Sequence, residues 1–267
     1  MLARTLRGEG GTMPCLSRFP RRPLALSACL FLALAAGCGE GKEGGGRGKG
    51  KTVDSADGLV VDTQVRRGGP YQPAAVSGGG TITGTVVLPA AAPAAEGACP
   101  IPPKTPRAIV WLADIEHGKP VGDVEHRVEV STGKCRIEPR IQLAPARSTV
   151  NVRNDEGYAQ RFDFIRGTSP APVFTAPFVA DGQLIPNEQV LAEPGIVEIR
   201  SDKDGLRGWA MVVDHPYAAT VGADGKFELT DVPAGSYTLA VWTPTGIAEQ
   251  KVTVSAGAGA PVTITAK

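Results

Sequence analysis

Three histidines, His117, His126 and His215, are the side chains of this sequence best suited to hold a transition metal. His117 and His126 each follow a glutamate and stand on either side of a Gly/Pro loop. If that loop were a hairpin, the two imidazoles could approach one another and share zinc or Cu(II). Their spacing matches no recognised ligand pattern, so the sequence favours solvated loop histidines. His215 precedes a proline, which favours a turn at the end of a strand.

No sequence motif indicates catalysis. A hydrolytic serine within G-x-S-x-G is absent, and Gly78-Gly79-Gly80 lacks the lysine and the following helix of a phosphate loop. The acidic pair Asp155-Glu156 is typical of a solvated turn. We therefore expect a protein that is not an enzyme and that has no cofactor.

The strand pattern that must position any site is clearest near the C-terminus, in DGKFELTDVPAGSYTLAVW. Asp224-Gly225 predicts a turn, because glycine accepts the positive φ that tight turns require. Apolar residues then alternate with polar ones through Phe227 and Leu229, and again from Tyr237 to Val241. Strands that bury one face need a second sheet, so this part of the chain predicts a β-sandwich.

The composition agrees with an all-β protein. The 267 residues include 34 Gly and 23 Pro, and no long stretch has helical periodicity, so short strands with many turns are expected. The net charge is +1, which gives no indication of a nucleic-acid partner.

The N-terminus predicts export and a lipid anchor. Arginines precede an apolar run from Leu24 to Ala36, which is too short to span a bilayer and suits a signal peptide (1–37). The run ends in LAAGC, which closely resembles a bacterial lipobox. That resemblance implies acylation of Cys38 and attachment to a membrane, with the protein outside the cytoplasm and most simply at the outer membrane. A second and third acyl chain would make the anchor stable.

A flexible tether is expected from 38 to 79, because GEGKEGGGRGKGK and the polar run after it cannot bury enough apolar surface to fold. The tether would hold the folded part of the chain away from the membrane.

The folded region resembles two known families. TITGTVV near its start and the C-terminal stretch above are similar to carboxypeptidase regulatory-like domains, which are carbohydrate-binding-like sandwiches without catalytic residues. The resemblance implies Greek-key sandwiches, in which 80–117 and 217–267 form one sandwich and 118–216 is an insertion.

The insertion resembles cupredoxins, the plastocyanin-like domains related to methylamine-utilisation proteins. The resemblance rests on RIEPRIQL, STVNVRND, EPGIVEIRSDKD and WAMVVDHPY. A blue-copper site needs two imidazoles and a thiolate, usually with an axial methionine. At the matching positions this chain has Gln160 and Asp204 for the histidines, Ser201 for the cysteine and Arg207 for the methionine. The resemblance therefore implies a cupredoxin-like fold without copper ligands.

Cys99 and Cys135 are the cysteines left after the signal peptide and Cys38 are set aside. An even pair in an exported domain favours a disulfide, and the resembled family often has cysteines at both places. Closure of this loop would stabilise the fold by roughly 3–4 kcal/mol in the chain-entropy model. The alternative, a pair of catalytic or metal-binding thiolates, lacks a C-x-x-C spacing or a histidine partner.

Together these observations predict a lipid-anchored envelope protein with a binding or structural role and no nucleic-acid partner. Its partners would be the membrane and an envelope protein or a glycan. Two alternatives stay open: a copper or redox protein that uses the histidines, and an accessory carbohydrate-binding module that uses exposed tryptophans.

Overall fold

The computed structural model describes residues 65–90, 102, 104–122, 126–133, 135–169, 171–203, 205–259 and 261–267. Across these ranges the protein is all-β, as predicted. Its strands, in chain order, are β1 (Gln72–Pro73), β2 (Gly80–Val87), β3 (Ala108–Leu112), β4 (His117–Gly118), β5 (Arg127–Gly133), β6 (Arg136–Glu138), β7 (Ile141–Pro145), β8 (Ser148–Asn154), β9 (Gln160–Arg166), β10 (Phe174–Val179), β11 (Leu184–Leu191), β12 (Gly195–Ser201), β13 (Arg207–Val213), β14 (Ala218–Val221), β15 (Lys226–Val232), β16 (Gly235–Thr243), β17 (Gly246–Val254), β18 (Gly257–Ala258) and β19 (Val262–Thr265).

One sandwich is built from strands at both ends of the described region. Its first sheet has the order β15-β2-β18, with β19 also paired to β2, and its second has the order β14-β3-β16-β17. Ile82 and Val86 alternate inward from β2 and meet Leu239 and Val241 of β16 in a common core. The predicted turn before β15 is present, and Gly225 adopts φ +73° there.

The intervening strands form a second sandwich. A sheet of five strands, β10-β9-β12-β13-β7, faces a sheet of four, β11-β8-β5-β6. The pairs β5–β8 and β13–β7 are parallel, so the chain must cross between the two sheets. Phe162, Phe164 and Val152 lie in the core between them, and Phe164 stacks on Phe174 with ring centroids 4.0 Å apart.

A third core joins the two sandwiches. Ile109 and Trp111 of β3 and Trp242 of β16 pack against Ile141 and Met211 of the five-stranded sheet. The sequence predicted that β16 buries one face, and this prediction is wrong. Leu239 and Val241 face the core of the first sandwich, while Ala240 and Trp242 face the third core. Both faces are buried because the inserted sheet covers the side that would otherwise meet water.

The folded region begins earlier than predicted, which corrects the C-terminal boundary of the tether at 79. Val65 is 2% exposed in the third core, and its carbonyl accepts a hydrogen bond from Trp111 Nε1 at 2.6 Å. Arg67 pairs with Glu249 at 2.9 Å, and β1 runs parallel to β4. These contacts depend on partners that lie far along the chain, so local composition could not reveal them.

No helix within the described ranges is long and apolar enough to cross a membrane.

Candidate functional site

Gln160 and Ser201, the positions matched to a copper-binding histidine and cysteine, lie side by side. Gln160 begins β9 and Ser201 ends β12, and these antiparallel neighbours bring the two side chains together. The Ser201 hydroxyl donates a hydrogen bond of 2.6 Å to Gln160 Oε1. Gln160 is fully buried and Ser201 is 8% exposed.

Thr132 and Asn154 complete a polar network of four side chains with Gln160 and Ser201. Asn154 Oδ1 accepts hydrogen bonds from Gln160 Nε2 at 2.8 Å, from Thr132 Oγ1 at 2.9 Å and from the amide of Glu156 at 3.1 Å. Its Nδ2 group donates to the carbonyls of Tyr158 and Val179, both at 2.7 Å. Asn154 is therefore the centre of the network and links the ends of β5, β8 and β9.

The donor groups of this network all donate hydrogen bonds to acceptors within the protein. Ser201 Oγ donates to Gln160 and also accepts from the amide of Lys203 at 3.0 Å. Buried polar groups that are fully paired order a core, whereas the same groups left unpaired would destabilise it. Amides and hydroxyls are also poor substitutes for the imidazole and thiolate of a copper site. The geometry therefore suits a structural role.

Of the other two positions matched to copper ligands, the structure describes one, Arg207, which does not join the network. Arg207 is exposed on β13, with its Nε atom 3.5 Å from Glu198. Asp204 lies outside the described residues. Nowhere in the described ranges do three or more His, Cys, Asp or Glu side chains cluster as a metal site requires.

The strands described next to His117 and His126 do not pair with each other, so they provide no hairpin that would bring the two imidazoles together. His117 lies on β4, which pairs with β1, whereas His126 precedes β5, which pairs with β6 and β8. His126 Nδ1 lies 3.1 Å from the carbonyl oxygen of Ala146. His126 and Glu129 also have H-x-x-E spacing, but neither belongs to a group of three or more potential metal ligands among the described residues. His117 therefore lies in the two-stranded sheet of β1 and β4, whereas His126 lies next to β5 of a different sheet.

His215 lies in the bend between β13 and β14 and is 1% exposed. Its Nδ1 atom accepts a hydrogen bond from the amide of Tyr217 at 3.2 Å, while Nε2 is buried without a partner among the described residues. Burial lowers the pKa of His215 to about 3, and the positive charge of Arg66 acts in the same direction. His215 is therefore neutral at physiological pH and packs as a core residue beside Tyr71.

We predict that His215 makes folding sensitive to acid. Between pH 6.5 and about 3 the unfolded chain binds a proton that the folded chain excludes, so stability decreases as the pH falls. The His215 contribution lost between pH 7 and pH 4.5 is about 2–3 kcal/mol. His215→Asn keeps a hydrogen-bond acceptor without the titration.

Urea unfolding at both pH values measures this effect. The wild-type protein should lose more stability on acidification than His215→Asn, whereas His126→Asn, at an exposed site, should behave as wild type. Equal acid sensitivity of wild type and His215→Asn would contradict the prediction.

The predicted lipid anchor at Cys38 lies outside the described residues. Of the predicted disulfide, Cys99 lies outside them and Cys135 lies within them. Cys135 follows β5 in a turn at φ 57°, and its amide donates a hydrogen bond to Glu156 Oε1 at 2.8 Å. Acylation of Cys38 and the pairing of Cys99 with Cys135 stay predictions.

A cleft of about 970 Å³ lies beside β6 and β13, and no sequence pattern indicated it. Trp209 is half-buried in its wall, while Trp111 and Trp242 are fully buried. Arg140 lies over the Trp209 ring, with its guanidinium carbon 5.4 Å from the ring centroid. This is the one tryptophan of the three that a ligand in solution could contact.

Thr132, Asn154 and Arg140 were missed in the sequence because each acts through residues far along the chain. Asn154 does carry a signal, since it ends a strand pattern just before the Asp155-Glu156 turn, where asparagine side chains often bond to nearby backbone. Arg140 follows a proline between two short strands and has no distinguishing sequence feature.

A family model described as polysaccharide lyase family 4, domain II, matches residues 206–262. The match covers the last strand of the insertion and most of the closing strands of the first sandwich. A comparison with curated proteins gave no match.

Several solved copper proteins are similar to part of the chain. A copper-containing nitrite reductase from Thermus scotoductus SA-01 is 18% identical over 33% of this chain and 23% of its own, with a TM-score of 0.28. A purple cupredoxin from Nitrosopumilus maritimus is 18% identical over 32% of this chain and 99% of its own, with a TM-score of 0.28. A mutant of amicyanin in its reduced Cu(I) form is 17% identical over 34% of this chain and 87% of its own, with a TM-score of 0.29.

Proposed function

We propose that this chain is a non-enzymatic, lipid-anchored protein of the cell envelope, with a binding or structural role. The observation that carries the proposal is the polar network, in which Gln160 and Ser201 bond to each other at 2.6 Å in a cupredoxin-like fold. A hydrogen-bonded amide and hydroxyl provide rigidity without redox chemistry. Cupredoxin electron transfer is therefore not the function we assign.

The anchor is supported by the sequence from Leu24 to Cys38, which combines a basic flank, a short apolar run and a lipobox-like ending. We also propose a disulfide between Cys99 and Cys135, supported by Cys135, which is not a free thiol. Such a bond suits an oxidising compartment outside the cytoplasm.

Membrane fractionation of cells that produce the full chain tests the anchor. We expect the wild-type protein in the membrane fraction with an acylated N-terminal cysteine by mass spectrometry, and Cys38→Ser in the soluble fraction. Cys99→Ser should remain membrane-bound, because it leaves the lipobox intact. A soluble wild-type protein without an acyl group would refute the anchor.

Metal analysis of the same preparation tests the metal alternative. Copper or zinc bound in stoichiometric amount, and lost in His117→Ala or His126→Ala, would replace the proposed function with a metal-binding one. Bound metal that survives both substitutions would place a site elsewhere in the chain and would also refute the metal-free assignment.

Carbohydrate binding is the second function that an observation favours. Trp209 borders a cleft large enough for several sugar rings, and tryptophan rings commonly pack against sugars. The family model that matches 206–262 is named for polysaccharide lyases, whose substrates are glycans. A glycan partner would give the proposed envelope protein a specific ligand.

A further inference from the structure

Arg140 differs from the other arginines of the cleft in having no anionic partner within the described part of the chain. It connects β6 to β7 and is half-buried, and its guanidinium lies against Trp209. The remaining arginines of the cleft each have a carboxylate: Arg136 pairs with Glu138, Arg153 with Asp155, and Arg207 with Glu198. Among the arginines of the cleft, the Arg140 guanidinium is thus the one that has no carboxylate partner within the described residues and can offer its charge to a ligand.

The electrostatic setting of Arg140 favours binding of an anion. The cleft is lined by four arginines and Lys104 but by only two glutamates, although the whole chain has a net charge of +1. Burial and the positive charge of Arg107 both lower the pKa of Arg140, which means that its charged form is destabilised where it stands. An anion beside the guanidinium would remove that cost.

The shape of the site favours a carboxylate on a sugar. A guanidinium binds a planar carboxylate through two parallel hydrogen bonds, and its stacking on an indole fixes the plane of that fork. Trp209 offers partly exposed ring surface next to the fork, against which an apolar face of a sugar can pack. The volume of about 970 Å³ exceeds that of one sugar ring, so the cleft suits a chain of several.

We propose that this cleft binds an acidic polysaccharide, with Arg140 holding a uronate carboxylate and Trp209 packing against the adjoining ring. The inference rests on the proposed binding role in the envelope and names its ligand class. Lys104, at another point of the wall, would add attraction for a neighbouring carboxylate of the same polymer.

Calorimetric titration of the full-length protein in detergent with a tetrauronate prepared from alginate tests the proposal. We expect binding that weakens as salt is raised. Arg140→Gln should weaken it at least about tenfold, because a charge-assisted bidentate contact is lost. The affinity of Arg140→Lys should lie between those of wild type and Arg140→Gln, because lysine keeps the charge but cannot form the two parallel hydrogen bonds of a guanidinium. Trp209→Leu should also weaken binding while the charge of the cleft is unchanged.

Arg161→Gln is the matched control, because Arg161 is exposed on the five-stranded sheet that carries Trp209, pairs with Asp163 and lies outside the cleft. Its affinity should equal that of wild type. A neutral cellotetraose should bind at least about tenfold more weakly than the tetrauronate, and inorganic phosphate should not compete at equal concentration.

Absence of tetrauronate binding, or binding unaffected by Arg140→Gln, would overturn the proposal. Equal competition by inorganic phosphate would overturn the saccharide assignment and leave a simple oxyanion site. Either failure is distinguishable from failure of the proposed function, because fractionation and metal analysis test the anchor and the metal-free assignment without any glycan.

Discussion

Asn154→Ala is expected to lower the free energy of unfolding by about 3–5 kcal/mol. The side chain of Asn154 is fully buried and makes five hydrogen bonds, to Thr132, Gln160, Glu156, Tyr158 and Val179. Alanine would leave buried donors and acceptors without partners, which costs more than the hydrogen bonds themselves contribute. Urea unfolding followed by tryptophan fluorescence measures the change.

Asn151→Ala is the control for this prediction. Asn151 is three residues earlier on β8, but its side chain makes one hydrogen bond, to Glu129 Oε1 at 3.1 Å near the surface. We expect that substitution to cost less than about 1 kcal/mol. Similar losses from both substitutions would mean that the polar network contributes no more than an exposed contact.

Trp111→Ala is the second large effect that we expect, with a loss of about 3–5 kcal/mol. Trp111 has no exposed surface and lies at the third core, where β3 of the first sandwich meets the five-stranded sheet of the second. The substitution would open a cavity there and remove the hydrogen bond to the Val65 carbonyl. The residues next to Val65 should then become sensitive to protease, which limited proteolysis with mass spectrometry can detect.

Trp111→Phe separates packing from hydrogen bonding. Phenylalanine keeps most of the apolar contact but cannot donate to Val65, so we expect a smaller loss, about 1–2 kcal/mol, with cleavage near Val65 still enhanced. If Trp111→Ala left both stability and proteolysis unchanged, the third core would not hold the two sandwiches and the N-terminal segment together.

Local patterns in the sequence were sufficient for the fold class. Alternation in β2 and in β15, the turn at Gly225 and the strand-rich composition all reflect short-range chemistry that a single sequence records. The arrangement of the strands was available only through resemblance, because pairing such as β5 with β8 joins residues far apart. The second buried face of β16 was missed for the same reason.

The candidate site likewise was predicted in part from the sequence, while its long-range contacts were not. Resemblance matched Gln160 and Ser201 to a histidine and a cysteine of a copper site, and in the structure their side chains are hydrogen-bonded to each other. Thr132 and Asn154 were not predicted as their partners, because a hydrogen-bond network is a property of three-dimensional packing. The contact between Arg140 and Trp209 was not predicted either, because it joins two side chains that are far apart in the sequence.

The polar network occupies positions that the resemblance matches to the ligands of a copper site. The chemistry of a cupredoxin depends on its ligand side chains and not on the strands that carry them. In this chain the positions that the resemblance matches to a copper-binding histidine and cysteine hold Gln160 and Ser201, which are hydrogen-bonded to each other and to Asn154. The arginine-lined cleft beside β6 and β13 is a feature separate from this network.

Copper titration of the wild-type protein and of the triple variant Gln160→His/Ser201→Cys/Asp204→His tests the central claim most directly. We predict that the wild-type network binds no copper, and that the triple variant, which restores a thiolate and two imidazoles, binds one copper with visible thiolate-to-copper absorption. One copper per wild-type chain, lost in Gln160→Ala or Ser201→Ala, would contradict the claim.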